Sequence, residues 1–486
     1  MNEIQVNNQP KGIQEDERSL LIDYYVQKVE GRLRQLRSPS ENDKKRWIWE
    51  LLQNAKDTIS SLKDRNAINV EVELKDDFVT FKHNGAPFTP KALNSLKWQK
   101  SGEKRGNAES TGRFGTGFLT THTLSSKVDV KSVLIDKEDK LWGFEITLYR
   151  DGERDEELRN GIEKTLQSEK YFSEPNNDWT AFTYNLKSGI NKESAKAGVK
   201  NLESNIFFTL AFVDEIESIK LTTNEKILFV KKIENATIGE LQVVRFIVEE
   251  NEQKKNVSVF IKKANEYSEE LTKKFNQSRN LRYSIAIQVL EDTKEVIPIS
   301  SETPHLYCDF PLVGTENFHF PVVLNSRDFE PVAERDRLLL DGSIINEEKQ
   351  EITNQGINKS ILTKSLELYK KLLSYLSKNN WKNIHLLANG ASKIPIQERD
   401  FDKEWYKEDI QKEIRLFVKE TPIVETSSGL QKLDEIYFPQ GSKKEISKIW
   451  NFTNDISPNK LPKFELIEEW SKLIWKDCNN QTVEEL

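Results

Sequence analysis

Residues 49–57 read Trp-Glu-Leu-Leu-Gln-Asn-Ala-Lys-Asp, and this stretch, taken with its flanks, decides the fold. Ile48, Leu52, Ala55, Ile59 and Leu62 recur at helical spacing, so a helix here carries a narrow apolar stripe that must face a core. Glu50, Asn54 and Asp57 fall together on roughly the opposite side, because steps of four and three residues return to the same face. On its own, such a polar row is an ordinary solvated face. Upstream, a helix is expected from Glu15 to about Leu36, with Leu21, Tyr25, Val29, Leu33 and Leu36 on one side, and the loop at 37–43 leads into the second helix. Downstream, residues 68–74 and 78–85 alternate as two strands joined at Lys75-Asp76-Asp77, and the second runs into His83-Asn84-Gly85-Ala86-Pro87-Phe88.

A short helical stretch at 92–98 and a polar segment then lead to Ser110-Thr111-Gly112-Arg113-Phe114-Gly115-Thr116-Gly117-Phe118, which should open another helix. Gly112, Gly115 and Gly117 permit positive φ and close approach. Successive backbone N–H groups can therefore point at one anion while a helix start adds its partial positive charge. A lone glycine loop is more often a tight turn before a core helix. Here a carboxylate-amide helix, a strand-end Asn-Gly turn and a glycine loop follow one another in a single segment, and chance is a poor explanation of that order.

The three stretches, Trp-Glu-Leu-Leu-Gln-Asn-Ala-Lys-Asp at 49–57, His-Asn-Gly-Ala-Pro-Phe at 83–88 and Thr-Gly-Arg-Phe-Gly-Thr-Gly-Phe at 111–118, resemble the GHKL ATPases. That family includes the ninety-kilodalton heat-shock chaperones, gyrase B, MutL, the MORC proteins and sensor histidine kinases. Gln99-Lys100-Ser101-Gly102 is similar to the lid of the chaperone branch, and the wording of the first two motifs resembles sacsin-type bacterial relatives. The resemblance is good over roughly residues 15–215 and patchy beyond. It implies a two-layer α/β sandwich, with helices on one face of a mixed sheet, that binds ATP and Mg²⁺.

Position by position, the resemblance makes Glu50 the general base that deprotonates the attacking water. Asn54 would give its amide oxygen to Mg²⁺, a hard ion that prefers oxygen ligands. Asp57 is as consistent with structural hydrogen bonding as with a direct role. Gly112, Arg113, Phe114, Gly115, Thr116, Gly117 and Phe118 would form the phosphate loop, with Lys100 in a lid running from Lys97 to Gly117. His83, followed by Gly85, stands where most of the family has an aspartate that accepts from the adenine amino group. A neutral imidazole can still accept through one nitrogen and a protonated one cannot, so adenine binding should weaken below about pH 6.5. Pro87 replaces the chaperone glycine and stiffens that turn. Thr180, the first threonine of the strand-like run 179–184, matches the family threonine that helps hold adenine.

Between the glycine loop and Thr180, residues 128–135 and 142–149 read as further strands, and a helix around Asn205 to Phe212 should close an ATP-binding domain of residues 1–213. Strand-like runs at 227–233, 241–250, 256–263 and 283–290 mark a transducer-like α/β domain over 214–343. In it, residues 320–328 resemble the chaperone middle-domain segment whose arginine reaches the γ-phosphate, which nominates Arg327 as a second catalytic group. The spacing is shortened, so Arg335 and Arg337 are rivals, and an ordinary surface ion pair is a further alternative. From 344 to 486 the chain reads as a mainly helical interaction region, with amphipathic runs at 361–376 and 408–418 and strand-like pieces at 421–426 and 435–439.

Composition bounds the function classes. A chain of 486 residues with 36% hydrophobic and 31% charged residues, ten Trp and 24 Phe should fold into several cores. Two cysteines, Cys308 and Cys478, suit a reducing cytoplasm. No apolar run approaches the roughly 18–20 residues of a membrane span, and the amino terminus lacks the apolar core of a secretion signal. The net charge of -7 gives no general attraction to nucleic acid. The expected function is an ATP-hydrolysing conformational switch whose lid closes and whose subunits dock, forming a nucleotide-dependent homodimer that acts on a protein client, chaperone-like or in antiviral defence. Two other classes stay open: a nucleotide-gated scaffold with little turnover, and a DNA-processing ATPase akin to MutL or MORC. A histidine kinase fits poorly, because no helical segment bearing a phospho-acceptor histidine precedes the pocket motifs.

Overall fold

The computed structural model describes residues 11–62, 64–98, 117–175, 178–439 and 443–475, with side chains described from residue 19 and not at Lys443. It is an α/β protein with a mixed sheet, in two compact units. The first comprises residues 1–203, 214–229 and 250–252, and the second residues 204–213, 230–249 and 253–486.

In the first unit, α1 (Lys11–Leu36) and α2 (Glu41–Asp57) are joined by the loop that the sequence marks. Ser40 caps α2: its hydroxyl accepts from the Asp43 N–H at 3.1 Å, while Asp43 accepts from the Ser40 N–H at 3.2 Å. This reciprocal pair satisfies two of the donors every helix start leaves unpaired. Arg32 of α1 bonds the same carboxylate at 3.0 Å and fixes one helix to the other. The buried face of α1 is Ile22, Tyr25, Val26, Val29, Leu33 and Leu36, whereas Leu21, expected inside, is 37% exposed.

Helix α2 departs from a one-stripe helix. Trp47, Ile48, Trp49, Leu51, Leu52, Gln53, Ala55 and Lys56 are all buried, so the helix is enclosed on most of its circumference. Trp47 donates to the Ser194 carbonyl at 2.9 Å and Trp49 to Asn201 Oδ1 at 2.8 Å. Both partners lie on α5 (Gly189–Phe212), which is far longer than the helix expected from Asn205. Gly198 permits the approach, since a Cβ there would fall 2.2 Å from Trp47 Nε1.

The strands are β1 (Ile68–Leu74), β2 (Phe78–His83), β3 (Lys127–Ile135), β4 (Leu141–Tyr149), β5 (Lys170–Phe172), β6 (Thr180–Asn185) and β7 (Ile216–Thr222). They lie in the order β5-β4-β3-β6-β2-β1-β7, antiparallel except for the parallel β1–β7 pair. The β2–β6 register places His83 opposite Thr180. Helix α3 (Pro90–Trp98) follows the strand-end turn, and α4 (Asp155–Gln167), which the sequence reading passed over, packs Leu158 and Ile162 with the α1 core and Leu119. Gly117–Thr123 forms a 3-10 helix instead of the expected α-helix. Its threonines explain this: Thr120, Thr121 and Thr123 each return their hydroxyl to the carbonyl three residues back at 2.8–2.9 Å, and such bonds compete with α-helical ones.

The second unit contains most of β8 (Ile227–Ile238) and β9 (Leu241–Glu250), then β10 (Gln253–Tyr267), β11 (Asn280–Leu290), β12 (Glu295–Val296), β13 (Leu306–Cys308), β14 (Phe310–Pro311) and β15 (Val323–Asn325). Their order is β8-β9-β10-β11-β15-β13-β14, with β12 on β11. The unit boundaries differ from the expected limits after 213 and 343, for two physical reasons. The end of α5, from residue 204, packs on β13, where Tyr307 donates to Asn205 Oδ1 at 2.7 Å and meets Phe212 edge-on at 5.3 Å. The helical part is not a separate body either: Ile361, Tyr369 and Leu372 of α6 (Asn354–Lys378) share one core with Phe260, Ile285 and Ile287. Of the two strand-like pieces expected late in the chain, Val424–Thr426 pairs with Gly429–Gln431, while residues 436–439 form no strand. Among the described residues no helix is long and apolar enough to cross a membrane.

Candidate functional site

Glu50, Asn54 and Thr58 stand four residues apart along one row of α2 and its C-cap, so the row is straight to within the usual helical drift. Its two ends meet different partners. At Glu50, a Cβ placed on Gly117 would fall 1.9 Å from Oε2 and 2.6 Å from Cδ. The carboxylate therefore lies directly against the backbone where the glycine loop ends, in a gap only glycine leaves open. The Glu50 side chain is 15% exposed, and Arg46 Nη2 lies 3.5 Å from it.

At the other end, the Thr58 hydroxyl donates to the Ala55 carbonyl at 2.7 Å and accepts from the Ala86 N–H at 3.3 Å, which pins the strand-end turn to α2. A Cβ on Gly85 would fall 2.1 Å from Thr58 Oγ1 and 2.8 Å from His83 Nδ1, so this turn too requires glycine. The Gly85 N–H donates to His83 Nδ1 at 3.1 Å. Across the ladder, Thr180 shares a 2.6 Å hydrogen bond with Ser132 of β3. The imidazole stacks near Phe182, whose ring meets Phe118 edge-on at 5.6 Å, so an aromatic row leads from His83 to the residue after Gly117. Eight residues of α2 separate Glu50 from Thr58, about 12 Å at the helical rise. A nucleoside triphosphate has comparable length.

The structure thus brings Glu50 to Gly117, His83 to Gly85, and His83 opposite Thr180. Half-buried Asn54 lies between the two ends, with half-buried Asp57 beside Thr58. Lys100, Gly112, Arg113, Phe114, Gly115 and Thr116 lie outside the described residues, as does most of the expected lid. Among the described residues no cluster of three or more His, Cys, Asp or Glu is placed to hold a metal.

Arg327 belongs to the second unit, where Nε bonds the buried Asp309 carboxylate at 2.8 Å. Its rivals are engaged as well: Arg335 donates to the Cys308 carbonyl at 3.3 Å, and Arg337 pairs with Asp400 at 2.7 Å. Arg327 and Arg335 converge on one turn, while Arg337 points to a different loop.

The expected titration of His83 needs correction. Burial disfavours the imidazolium and pushes its pKa down to about 4, so the ring stays neutral well below pH 6.5. His122 is pushed lower, to about 3, first by burial and then by the charges of Arg150 and Arg37. Unfolded, both titrate near 6.5. Between pH 6.5 and about 4 the unfolded chain takes up protons that the folded one refuses, so stability is full above that window and falls as the pH drops through it. Each group contributes roughly 1.4 kcal/mol per pH unit, or about 3 kcal/mol per unit for the pair. Burial pushes His305 down to about 4 as well, so urea unfolding of the chain at pH 7.5, 6.0 and 5.0 should show a slope at least this steep, made shallower by the double variant His83→Gln/His122→Gln and not abolished. A midpoint that stays constant over that range removes the argument.

Two residues here escaped the sequence reading. Thr58 carried a signal, a threonine one turn beyond Asn54. Arg150 carried none. It is buried just past the end of β4, donates to Thr121 Oγ1 at 3.3 Å and lies 4.6 Å from the Phe118 ring centre, and its Nη2 finds no hydrogen-bond partner among the described residues. These contacts hold it to the 3-10 helix that begins at Gly117. Comparison with known proteins finds no family model and no curated sequence that matches the chain.

Proposed function

We propose that the chain is a GHKL-type, Mg²⁺-dependent ATPase that works as a conformational switch. The observation that supports this best is the seating of the Glu50 carboxylate against Gly117, because it joins a proton acceptor to the end of a glycine loop suited to phosphate. In this reading the nucleotide lies along α2, with phosphates toward Gly117 and the base toward His83 and Thr180. Glu50 takes a proton from water as the water oxygen bonds the γ-phosphorus and the bond to the ADP oxygen breaks. The Asn54 amide oxygen would help hold Mg²⁺, which supplies charge neutralisation on the phosphates when bound. Arg327 is the proposed charge-stabilising group of the second unit, and lid closure with docking of a partner subunit or protein client is the proposed output. The two-layer sandwich of the GHKL family is part of this proposal.

A second reading, a nucleotide-gated scaffold with negligible turnover, draws on the Arg46–Glu50 ion pair, which engages one of the two carboxylate oxygens. Nucleic-acid processing has no comparable support, given a net charge of -7. The test common to both surviving readings is calorimetric titration of ATP into the full chain. Binding is expected to weaken at least about 10-fold when Mg²⁺ is chelated, and Asn54→Ala should remove most of that dependence. Failure of ATP, ITP and GTP alike to bind at millimolar concentration eliminates the nucleotide site.

A further inference from the structure

The polarity of the hydrogen bonds at the end of β2 bears on which purine the strand-end subsite takes. Because the Gly85 N–H donates to His83 Nδ1, that nitrogen carries no proton. The neutral ring therefore holds its proton on Nε2, which can only donate. Gly85 enforces this arrangement: the close approach that aims its N–H at the ring exists because no Cβ stands in the way. Beside this fixed donor lies the Thr180–Ser132 hydroxyl pair, in which either oxygen donates and either accepts. The subsite offers one donor of fixed sense and one group that adapts.

We infer that this subsite selects a 6-oxopurine, hypoxanthine or guanine, over the 6-aminopurine adenine. The inference rests on the reading above that a nucleoside triphosphate lies along α2 with its base at His83, and it exchanges ATP for ITP or GTP as the favoured substrate of that reading. The exocyclic group at position 6 projects beyond the ring and reaches a buried side chain first. In a 6-oxopurine that group is an acceptor for the His83 Nε2–H, and the adjacent N1–H is a donor that a hydroxyl oxygen of Thr180 or Ser132 can accept. Adenine presents the reverse polarity. Its amino group sets N–H against N–H and leaves a buried donor unpaired, the kind of mismatch by which sites built around hydrogen bonds discriminate most strongly. Neutrality of His83 well below pH 6.5 makes the sense of the donor independent of pH in the ordinary range.

The test is equilibrium binding of the magnesium complexes of ITP, GTP and ATP to the full chain at pH 7.5, with ITP separating the 6-oxo group from the 2-amino group of guanine. ITP is expected to bind at least about 10-fold more tightly than ATP. His83→Asp, whose carboxylate accepts and cannot donate, should cancel or reverse that ranking. If the variant does not fold, the wild-type ranking decides alone. Equal or tighter binding of ATP overturns the inference while leaving the nucleotide site standing; no binding of any of the three overturns the reading beneath it.

Discussion

Glu50→Gln is expected to slow hydrolysis of the preferred nucleoside triphosphate by about 100- to 10,000-fold, with binding changed by no more than a few fold. Glutamine keeps the length and planarity of the side chain and loses only the capacity to accept a proton from water. The fold should tolerate the change. The group lost from the folded state is one ion pair to Arg46 at 3.5 Å within a single helix, a contact worth about 0–1 kcal/mol, and α2 is held by its Ser40 cap and its buried tryptophans. Steady-state phosphate release, measured beside nucleotide affinity and melting temperature, checks all three parts. Equal turnover in wild type and variant, with tight binding in both, would favour the scaffold and remove Glu50 from catalysis.

Gly117→Ala should reproduce most of that loss with Glu50 still in place. The new methyl would occupy the position 1.9 Å from Glu50 Oε2, where two atoms cannot coexist. Because the obstructed group is the free end of a flexible side chain, the carboxylate swings aside and the backbone stays, at an off-rotamer cost of roughly 0.5–1.5 kcal/mol. A displacement of about 1 Å in a reacting group is enough to cost on the order of 100-fold in rate. Turnover should therefore fall by at least about 100-fold while the melting temperature shifts by only a few degrees. Unchanged turnover in this variant would show that the position of the carboxylate against the loop is immaterial to the chemistry. Agreement between the two variants, one removing the base and one moving it, separates position from mere presence.

The legible part of the molecule was whatever local periodicity and turn chemistry dictate. Strands β1 and β2 follow from alternation, α2 from the helical spacing of Ile48, Leu52 and Ala55, and the strand-end turn from Asn84-Gly85. The illegible part was whatever depends on what covers a surface. Leu21 and Ile22 are adjacent and similarly apolar, and the packing of α1 against α4 decides that Ile22 is the one inside. The same holds for the polar row on α2, which read as a solvated face until neighbouring elements enclosed it.

By itself the sequence determined the residue types at each motif: a carboxylate and an amide four apart on a helix, a histidine before Asn-Gly, and glycines where side chains are forbidden. Tertiary structure alone decided which of these meet, in which protonation state, and with which hydrogen-bond polarity. Glu50 and Gly117 are far apart in the chain, and nothing local states that one fits the gap the other leaves. His83 reads as a group that titrates near neutrality, and only its burial, together with one N–H from Gly85, makes it a neutral donor. The physical reason is that desolvation and hydrogen-bond direction are properties of the surroundings of a side chain, and those surroundings come from residues distant in sequence.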